Sequence, residues 1–368
     1  MRRMLIMSSF AKTMALCGAC IGLYIGSGFA SMQEVLQYEA SYGSLFWVVI
    51  AVTAAIYLYT NLSFSANGAK EKLERGGDIY KVYCGRKVGT FYDWFAALFC
   101  YMSFIVMLGG ANSAAMQQWG LPNGVGAFLL AVLVVATVVC GLEGIVKTLS
   151  FLGPLIVVFL LIVVGYSAAT GSLGFEAGAA TIDSGAYNIT QIGGGNPLAS
   201  GASYGGFVIL WFAAFLGELS AREHLSVVRH GMLLSSLFIF GTAALCCVAL
   251  ISNIDLVWDA PIPTLVLANR MSPALGLVFS LVIFVGIYTS AVPLLWTGVK
   301  RMAAEGSLRY RLVTVVGGML GCVIACLVPY APLLNVLYGL NGYLGFMLMA
   351  FMIVHDVKGF AKARECER

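Results

Sequence analysis

Two adjacent hydroxyl residues, Thr289 and Ser290, stand shortly before a proline inside a long apolar segment. The segment reads Gly286-Ile287-Tyr288-Thr289-Ser290-Ala291-Val292-Pro293. Hydroxyl oxygens, and carbonyl oxygens freed near a proline, are hard ligands that suit a small cation. The alternative is that both hydroxyls bond to carbonyls of their own helix, as Ser and Thr often do in membranes. The pair alone is therefore weak support for an ion site.

A cluster of small residues interrupts the first apolar segment. Gly22, Gly26, Ser27 and Gly28 fall within seven positions, and each glycine inside a helix costs about 1 kcal/mol. One interpretation is close packing of two helices through Gly18, Gly22 and Gly26. The other is a helix that unwinds near the membrane midplane and exposes backbone N–H and C=O groups to a polar cavity.

The sixth apolar segment has a similar interruption. It opens with Tyr204-Gly205-Gly206 and continues through Trp211 to Glu218. The first and sixth segments begin two five-segment halves, and because five is odd the halves have opposite orientations. Glycine-interrupted segments at matching positions of inverted halves point to the binding site of a transporter. The pattern therefore favours unwinding over packing and predicts that helices 1 and 6 are both broken.

Few acidic residues fall within the apolar segments. Glu34 lies toward the outer end of segment 1, and Glu218 lies near the inner end of segment 6. An acid at such depth is costly and needs a partner, so both are candidates for coupling or gating. For Glu218, extension of the side chain to the cytoplasmic interface is the alternative. Aromatic residues near the two interruptions are candidates to line or gate a pocket, with ordinary packing as the alternative: Tyr24, Phe29, Trp211, Phe212 and Phe215.

The composition excludes a soluble protein. Of 368 residues, 60% are hydrophobic and 10% are charged, and the mean hydropathy is +0.91, whereas soluble domains carry about 25% charged residues. We therefore interpret residues 1–368 as one transmembrane domain in a lipid bilayer. The basic residues are spread over short loops, which argues against nucleic-acid binding. The sequence shows no nucleophile, nucleotide or metal motif, so we expect neither enzymatic activity nor an organic cofactor.

Hydropathy predicts ten membrane-spanning helices, with a first repeat at about 9–170 and a second repeat at about 203–355. The predicted spans are 9–36, 43–66, 90–118, 123–142, 148–170, 203–221, 231–252, 272–298, 309–329 and 332–355. Twenty of the 21 Lys and Arg residues fall on one side, and only Arg270 falls on the other. Because basic loops stay in the cytoplasm, both termini are predicted to be cytoplasmic. The two sizeable external connections are 171–202 and 253–271, and residues 264–268 of the second form either a capping helix or plain loop.

The stretch from Cys20 to Glu34, which reads CIGLYIGSGFASMQE, strongly resembles the first helix of the YkvI-like bacterial membrane proteins. Residues 141–144 (GLEG) and 288–293 (YTSAVP) are similar to the same family, and the resemblance covers nearly the whole chain. That family is grouped by similarity with the amino acid–polyamine–organocation superfamily. The resemblance therefore implies a LeuT-type fold, with five plus five helices in inverted repeats, in a bacterial cytoplasmic (inner) membrane.

The same resemblance implies a substrate site. Residues 25–29 look like the G-S-G-I type motif, in which unwound backbone amides hold a substrate carboxylate, and this carries the role to Gly26, Ser27 and Gly28. The sixth segment resembles the aromatic-rich F-x-G-x-E stretch of the superfamily. Here the acid Glu218 stands one position early, which puts its role in doubt.

The resemblance also implies a sodium site between helices 1 and 8. In sodium-coupled relatives the ligands are helix 1 and helix 8 carbonyls with two adjacent helix 8 hydroxyls, and the matching positions are Gly22, Ile25, Gly286, Thr289 and Ser290. Some proton-coupled relatives place a helix 5 lysine in that space. Helix 5 here has no lysine beyond Lys147 at its entrance, which favours sodium.

We therefore expect a secondary transporter, namely a Na⁺-coupled symporter of an amino acid or similar small zwitterion that works by alternating access. Free N–H groups in the outer half of helix 1 would face the solute carboxylate with the positive end of a helix dipole. A proton-coupled transporter or exchanger of the same fold is one alternative. A sensor that binds its ligand without moving it is another.

Overall fold

The computed structural model describes the backbone of residues 9–25, 27–73, 75–140 and 146–366, and the side chains in these ranges except 27–28, 146–155 and 362–366. The helices are α1 Ser9–Tyr24, α2 Ser27–Ser31, α3 Gln33–Tyr38, α4 Phe46–Glu71, α5 Ile79–Trp119, α6 Val125–Cys140, α7 Val146–Ala169, α8 Phe175–Asp183, α9 Pro197–Arg222, α10 Leu225–Ser252, α11 Ile254–Val257, α12 Pro263–Met271, α13 Pro273–Met302, α14 Leu308–Leu327 and α15 Tyr330–Cys366. Two 3₁₀ helices, Ala40–Leu45 and Gly76–Asp78, precede α4 and α5. Strands are absent from the described ranges.

Seven helices of the described chain are long and apolar enough to cross a membrane: α4, α5, α9, α10, α13, α14 and α15. Three shorter apolar helices accompany them: α1, α6 and the part of α7 from Ile156 to Ala169. Each of the ten predicted spans overlaps one of these ten helices, so the prediction of an all-helical membrane protein is confirmed. The boundaries differ most in α5, which begins at Ile79 rather than near residue 90, with a kink at Gly85 (φ 70°) that only glycine adopts readily.

The first predicted span is interrupted, as its glycines predicted. α1 ends at Tyr24, the five-residue α2 begins at Ser27, and α3 begins at Gln33 after a left-handed turn at Met32 (φ 59°). A Cβ at Gly18 or Gly22 would meet no atom within 4 Å, so neither glycine serves close helix packing. The outer part of this span is short: α2 and α3 are one or two turns long, so their peptide dipoles sum to little.

The predicted break in helix 6 is wrong. α9 runs without interruption from Pro197 to Arg222, and the Asn196 side chain caps its start by accepting the Leu198 N–H at 2.9 Å. Its glycines serve packing instead. A Cβ at Gly206 would overlap the carbonyl of Gly342 in α15, and a Cβ at Gly345 would overlap the carbonyl of Gly206. The two helices thus touch backbone to backbone, in the way small residues allow in membranes.

We call one end of the bundle the basic face. There the start of α1 lies beside the end of α9, and the first third of α5 lies beside the end of α13. Lys12 Nζ lies 3.0 Å from Glu223 Oε2, and Arg301 pairs with Asp93. The side chains of both pairs are largely sheltered from solvent. Ion pairs between different helices fix how these helix ends sit against one another.

The opposite end, which we call the far face, is covered by two connections. Residues 253–271 contain the helix α12, so the capping-helix alternative at 264–268 is correct. Residues 171–202 contain α8, a helix that the glycine-rich composition did not predict. α8 packs so closely on α10 that a Cβ at Gly178 would overlap the carbonyl of Ile251. The far face is therefore built from short helices rather than loose loops.

Candidate functional site

A cavity of about 1010 Å³ lies between α1, α5, α7, α9 and α13. Its wall includes Ala15 and Gly18 near the start of α1, Thr297 near the end of α13, and Glu34 on α3. Because α1 starts and α13 ends at the basic face, the cavity runs from the interruption after Tyr24 toward that face. A volume of this size suits a small organic solute.

Most of the predicted site residues meet in this cavity. Those that line it are Gly22, Tyr24, Ile25, Phe29, Glu34, Trp211, Phe212, Thr289 and Ser290. Gly26 lies outside the described residues, and for Ser27 and Gly28 only the backbone, at the start of α2, is described. Segments far apart in the sequence are therefore brought to one site, as the spacing of the glycines and hydroxyls indicated.

Three predicted residues do not line the cavity. Glu218 pairs with Arg222 at 2.6 Å, and its side chain is 44% exposed, because the unbroken α9 carries it to the basic face. This position matches the alternative of a side chain that extends to the interface. Phe215 packs edge-on to Phe212, with ring centroids 6.4 Å apart. Gly286 faces α7, where a Cβ would meet the Ile156 side chain at 2.5 Å.

The Thr289 hydroxyl donates to the Gly286 carbonyl at 2.7 Å, which is the bond to its own helix that the sequence left as an alternative. This bond uses the hydroxyl proton and leaves the lone pairs of the Thr289 oxygen free to accept a cation. Ser290 lines the cavity beside it. Across the cavity, α1 ends at residues 22–25, where a helix leaves its last carbonyls without donors from the same helix. Hydroxyls and carbonyls therefore face the same space.

Tyr24 is the centre of an aromatic cluster on the wall. Its ring lies 6.1 Å from Phe29, 5.8 Å from Tyr57, 6.1 Å from Tyr204 and 5.8 Å from Phe240, mostly edge to face. Its hydroxyl is buried and has no hydrogen-bond partner among the described residues. The sequence analysis missed Tyr57 and Phe240, which lie on α4 and α10, because neither helix carries a glycine interruption.

Two carboxyl groups are buried beside the interruption. Glu34 is 4% exposed and lines the cavity, while Glu39, at the end of α3, is 0% exposed. Glu39 Oε2 accepts the Cys247 thiol at 3.4 Å, and its Oε1 has no partner in the described structure. Neither acid belongs to an ion pair of the described residues. The sequence analysis singled out Glu34 but missed Glu39, which falls between the first and second predicted spans.

At the far face the cavity is closed by α12. The Thr264 hydroxyl donates to the Ala30 carbonyl of α2 at 2.6 Å. Just before α12, the Gln117 side chain exchanges two bonds with the Ile262 backbone, at 3.0 and 2.9 Å. These contacts join α12 to α2 and to the end of α5, on the far-face side of the cavity.

The bond from Thr264 to Ala30 predicts a stability effect. Thr264→Val keeps the shape of the buried side chain but leaves the Ala30 carbonyl without its donor, which costs about 1–3 kcal/mol. Thr264→Ser keeps the hydroxyl and is the matched control. We expect the valine variant to unfold at a lower temperature than both the serine variant and the parent in detergent. Equal unfolding temperatures for the valine and serine variants would show that this bond does not hold α12 in place.

The fold and the cavity define a polytopic helical membrane protein with a solute-sized cavity at an interrupted helix. No known protein-family model matches the chain. Its sequence is 23% identical over 347 residues to a Bacillus subtilis (strain 168) protein described as uncharacterized membrane protein YkvI, over 90% of this chain and 93% of that protein. The resemblance to YkvI is therefore confirmed at the level of sequence similarity.

Solved structures of a manganese transporter from Eremococcus coleocola share the fold. A mutant form superposes with a TM-score of 0.57 at 16% identity, over 94% of this chain and 78% of that chain. A complex with an aromatic bis-isothiourea substituted compound gives a TM-score of 0.56 with the same identity and coverage. At this identity the likeness concerns the fold.

Proposed function

We propose that this protein is a secondary active transporter that moves a small zwitterionic organic solute through the cavity beside α1. One observation carries the proposal: the cavity lies at the interrupted first segment and extends toward the basic face, while α12 is bonded to α2 on the opposite side. Transporter sites lie at interrupted helices near the midplane and open to one side at a time. The shared fold of the manganese transporter supports the same class of function.

In this proposal the seven long and three shorter apolar helices make ten crossings, in the five-plus-five inverted repeat of LeuT-type proteins. The basic face is cytoplasmic, because Lys and Arg are retained on that side. Both termini then lie inside the cell, in the cytoplasmic membrane of a bacterium. In this proposal the cavity faces the cytoplasm, and α12 with its bond to Ala30 lies on the outer side.

The wall of the cavity favours an amino acid or a similar solute. Aromatic rings such as Tyr24, Phe29 and Trp211 offer apolar contact, and Glu34 is the one carboxylate among the described lining residues. In this proposal Glu34 accepts the solute ammonium group. Backbone N–H groups at the start of α2 bind the solute carboxylate, since the described lining residues include no Lys or Arg.

The ligand set favours an organic solute over a divalent metal ion. The similar solved structures are of a manganese transporter, and Mn²⁺ prefers several carboxylate, carbonyl and water oxygens. Among the described residues, no group of three or more His, Cys, Asp and Glu side chains is arranged to hold a metal. Glu34 alone therefore supplies a formal charge for a cavity-bound cation.

The proposed coupling ion is Na⁺, held between the end of α1 and α13. The candidate ligands are carbonyls of Gly22 and Ile25 with the hydroxyls of Thr289 and Ser290, while the Gly286 carbonyl already accepts the Thr289 hydroxyl. A cation there would tie α1 to α13 and stabilise one state, and its release to the cytoplasm would free α1 to move. This arrangement is supported by four oxygen-bearing positions that line the cavity, two at the end of α1 and two facing them on α13.

The sodium site predicts the behaviour of a double variant. Thr289→Ala combined with Ser290→Ala removes both hydroxyl ligands and is expected to lower the sodium stimulation of uptake by about tenfold or more, since a charge-assisted contact is worth about 1.5–3 kcal/mol. Thr297→Ala, one to two turns further along α13, is the matched control and is expected to keep sodium stimulation. Uptake into proteoliposomes in NaCl against N-methylglucamine chloride measures the effect. Unchanged sodium stimulation in the double variant would remove Na⁺ from this position.

The function itself is tested by counterflow. Proteoliposomes loaded with a pool of unlabelled amino acids should accumulate tracer amounts of the same labelled pool, whereas MnCl₂ should not compete. Saturable binding of the pool without counterflow would point to a sensor on the same fold. Counterflow of manganese rather than of amino acids would overturn the proposed solute class and leave the transporter class in place.

A further inference from the structure

Glu39 is the most deeply buried acid of the described structure, and the sodium site does not use it. Its side chain is fully enclosed between the end of α3 and α10. One carboxyl oxygen has only the weak thiol donor of Cys247, at 3.4 Å, and the other has no partner. A lone negative charge on so poorly solvated a carboxylate is strongly disfavoured. A cation must therefore neutralise the negative charge of Glu39.

The groups around Glu39 supply no such cation. We consider every described element that packs against Glu39 or against the turn that follows it. The titratable side chains there are Tyr24 of α1, Glu34 of α3, Tyr38 and Tyr42 of the same segment as Glu39, Tyr57 of α4, Asp183 of α8, Tyr204 of α9, and Cys246 and Cys247 of α10. All are acids, phenols or thiols. Glu34 and Glu39 lie close enough for their charges to interact, which adds repulsion to the cost of burial.

A second, independent feature points to an exchangeable ligand at this place. The Tyr24 hydroxyl is buried beside Tyr204 and lies within electrostatic range of both Glu39 and Glu34. Tyr24 and Glu34 both line the cavity. A hydroxyl between a buried acid and a cavity is suited to pass a proton, because it can accept one bond and donate another.

We propose that Glu39 carries a proton that is exchanged during the transport cycle. This proposal rests on the proposed transporter function and adds a coupling residue to it. In the sealed state the proton forms the O–H bond of a neutral acid. On release that bond breaks, the proton passes to water in the cavity, and the carboxylate remains until it takes another proton from the other side.

A proton fits this site better than a sodium ion. Sodium needs several oxygen ligands around it, whereas a proton needs only the carboxyl oxygen to which it binds. Full enclosure of Glu39 also separates it from the cavity, where Glu34 meets the solute. In this proposal Glu34 binds the solute, whereas Glu39 carries the proton.

The first test detects the proton itself in the full-length protein. Infrared spectra near neutral pH should show the carbonyl stretch of a protonated carboxylic acid that is lost in Glu39→Gln and kept in Glu218→Gln, since Glu218 is a paired surface acid. This readout does not depend on transport or on the solute. If the spectrum of Glu39→Gln keeps every carboxylic-acid band of the parent protein, the proposal is overturned.

The second test measures coupling in proteoliposomes, with the amino-acid pool as the probe. An inward proton gradient of about one pH unit should raise steady-state accumulation by up to about tenfold per coupled proton. Glu39→Gln should lose this gain while keeping counterflow, and Glu39→Asp should retain a measurable part of it. The aspartate variant also serves if the glutamine variant fails to fold.

Each remaining outcome is decisive. If Glu39→Gln keeps the full response to the proton gradient, or if only a sodium gradient drives accumulation, the coupling role is wrong even where the infrared band is present. If the parent protein shows the band but no counterflow of any probe, the proposed function fails. Glu39 is then a buried acid that keeps its proton, and the proposed proton exchange is rejected together with the proposed transport function.

Discussion

Glu34→Gln is expected to lower the rate of uptake of the amino-acid pool by about tenfold or more. Glu34 is almost fully buried and is the one carboxylate among the described residues that line the cavity. Glutamine keeps the size and one carbonyl oxygen but removes the negative charge. A hydrogen bond to a charged group is worth about 1.5–3 kcal/mol, which corresponds to roughly ten- to a hundredfold in affinity. The loss should therefore appear first in the apparent affinity for the solute.

The control for Glu34 is another acid of similar chemistry outside the cavity. Glu218→Gln removes a half-exposed carboxylate that pairs with Arg222, and surface pairs of this kind contribute about 0–1 kcal/mol. We expect it to transport like the parent protein. Initial rates of uptake at several solute concentrations separate affinity from turnover. Full uptake by Glu34→Gln, or equal losses in both variants, would remove Glu34 from the solute site.

Gly345→Ala is expected to cause a large loss of stability from a single added methyl group. A Cβ at this position would overlap the Gly206 carbonyl across the contact between α15 and α9. Both partners are helix backbone, so neither can turn away and the helices must separate. Overpacking of this kind costs about 1–3 kcal/mol, and more where the backbone cannot shift. The unfolding temperature in detergent and the yield of folded protein should both fall.

Gly339→Ala is the matched control on the same helix. A Cβ there would meet no atom within 4 Å, and alanine is favoured over glycine in helices by about 1 kcal/mol. This variant should be as stable as the parent or slightly more stable. If Gly345→Ala were as stable as Gly339→Ala, the backbone contact would be looser than the structure has it, and the glycines of α9 would need another explanation.

The same kind of sequence signal led to one correct and one wrong prediction. Glycines interrupt span 1 and also open span 6, but only the first helix is broken. The difference lies in the partner: nothing approaches Gly22, whereas Gly206 meets Gly342 and Gly345 of α15. Those two α15 glycines, three residues apart, were a visible sign of a small-residue helix face. Pairing that face with span 6 requires the tertiary structure.

The site was predictable where residue chemistry is unusual for a membrane segment. Thr289, Ser290 and Glu34 stood out because polar groups are rare at that depth, and the structure places all three on one cavity. Glu39 was missed because it falls between the predicted spans 9–36 and 43–66, outside the apolar segments that were searched for acids. The packing of the chain around α3 buries it instead. Burial of this kind depends on contacts between distant segments, which periodicity does not reveal.

The unbroken α9 contrasts with the first span, which is interrupted between α1 and α2. The inner part of the first span, α1, is tied to the end of α9 through Lys12 and Glu223, a sheltered pair that dissolved salt screens weakly. α9 is itself held against α15 through Gly206 and Gly345, whereas α2 is held by the Thr264 bond to α12. The two parts of the first span are therefore anchored to different parts of the bundle, one at each end of the molecule.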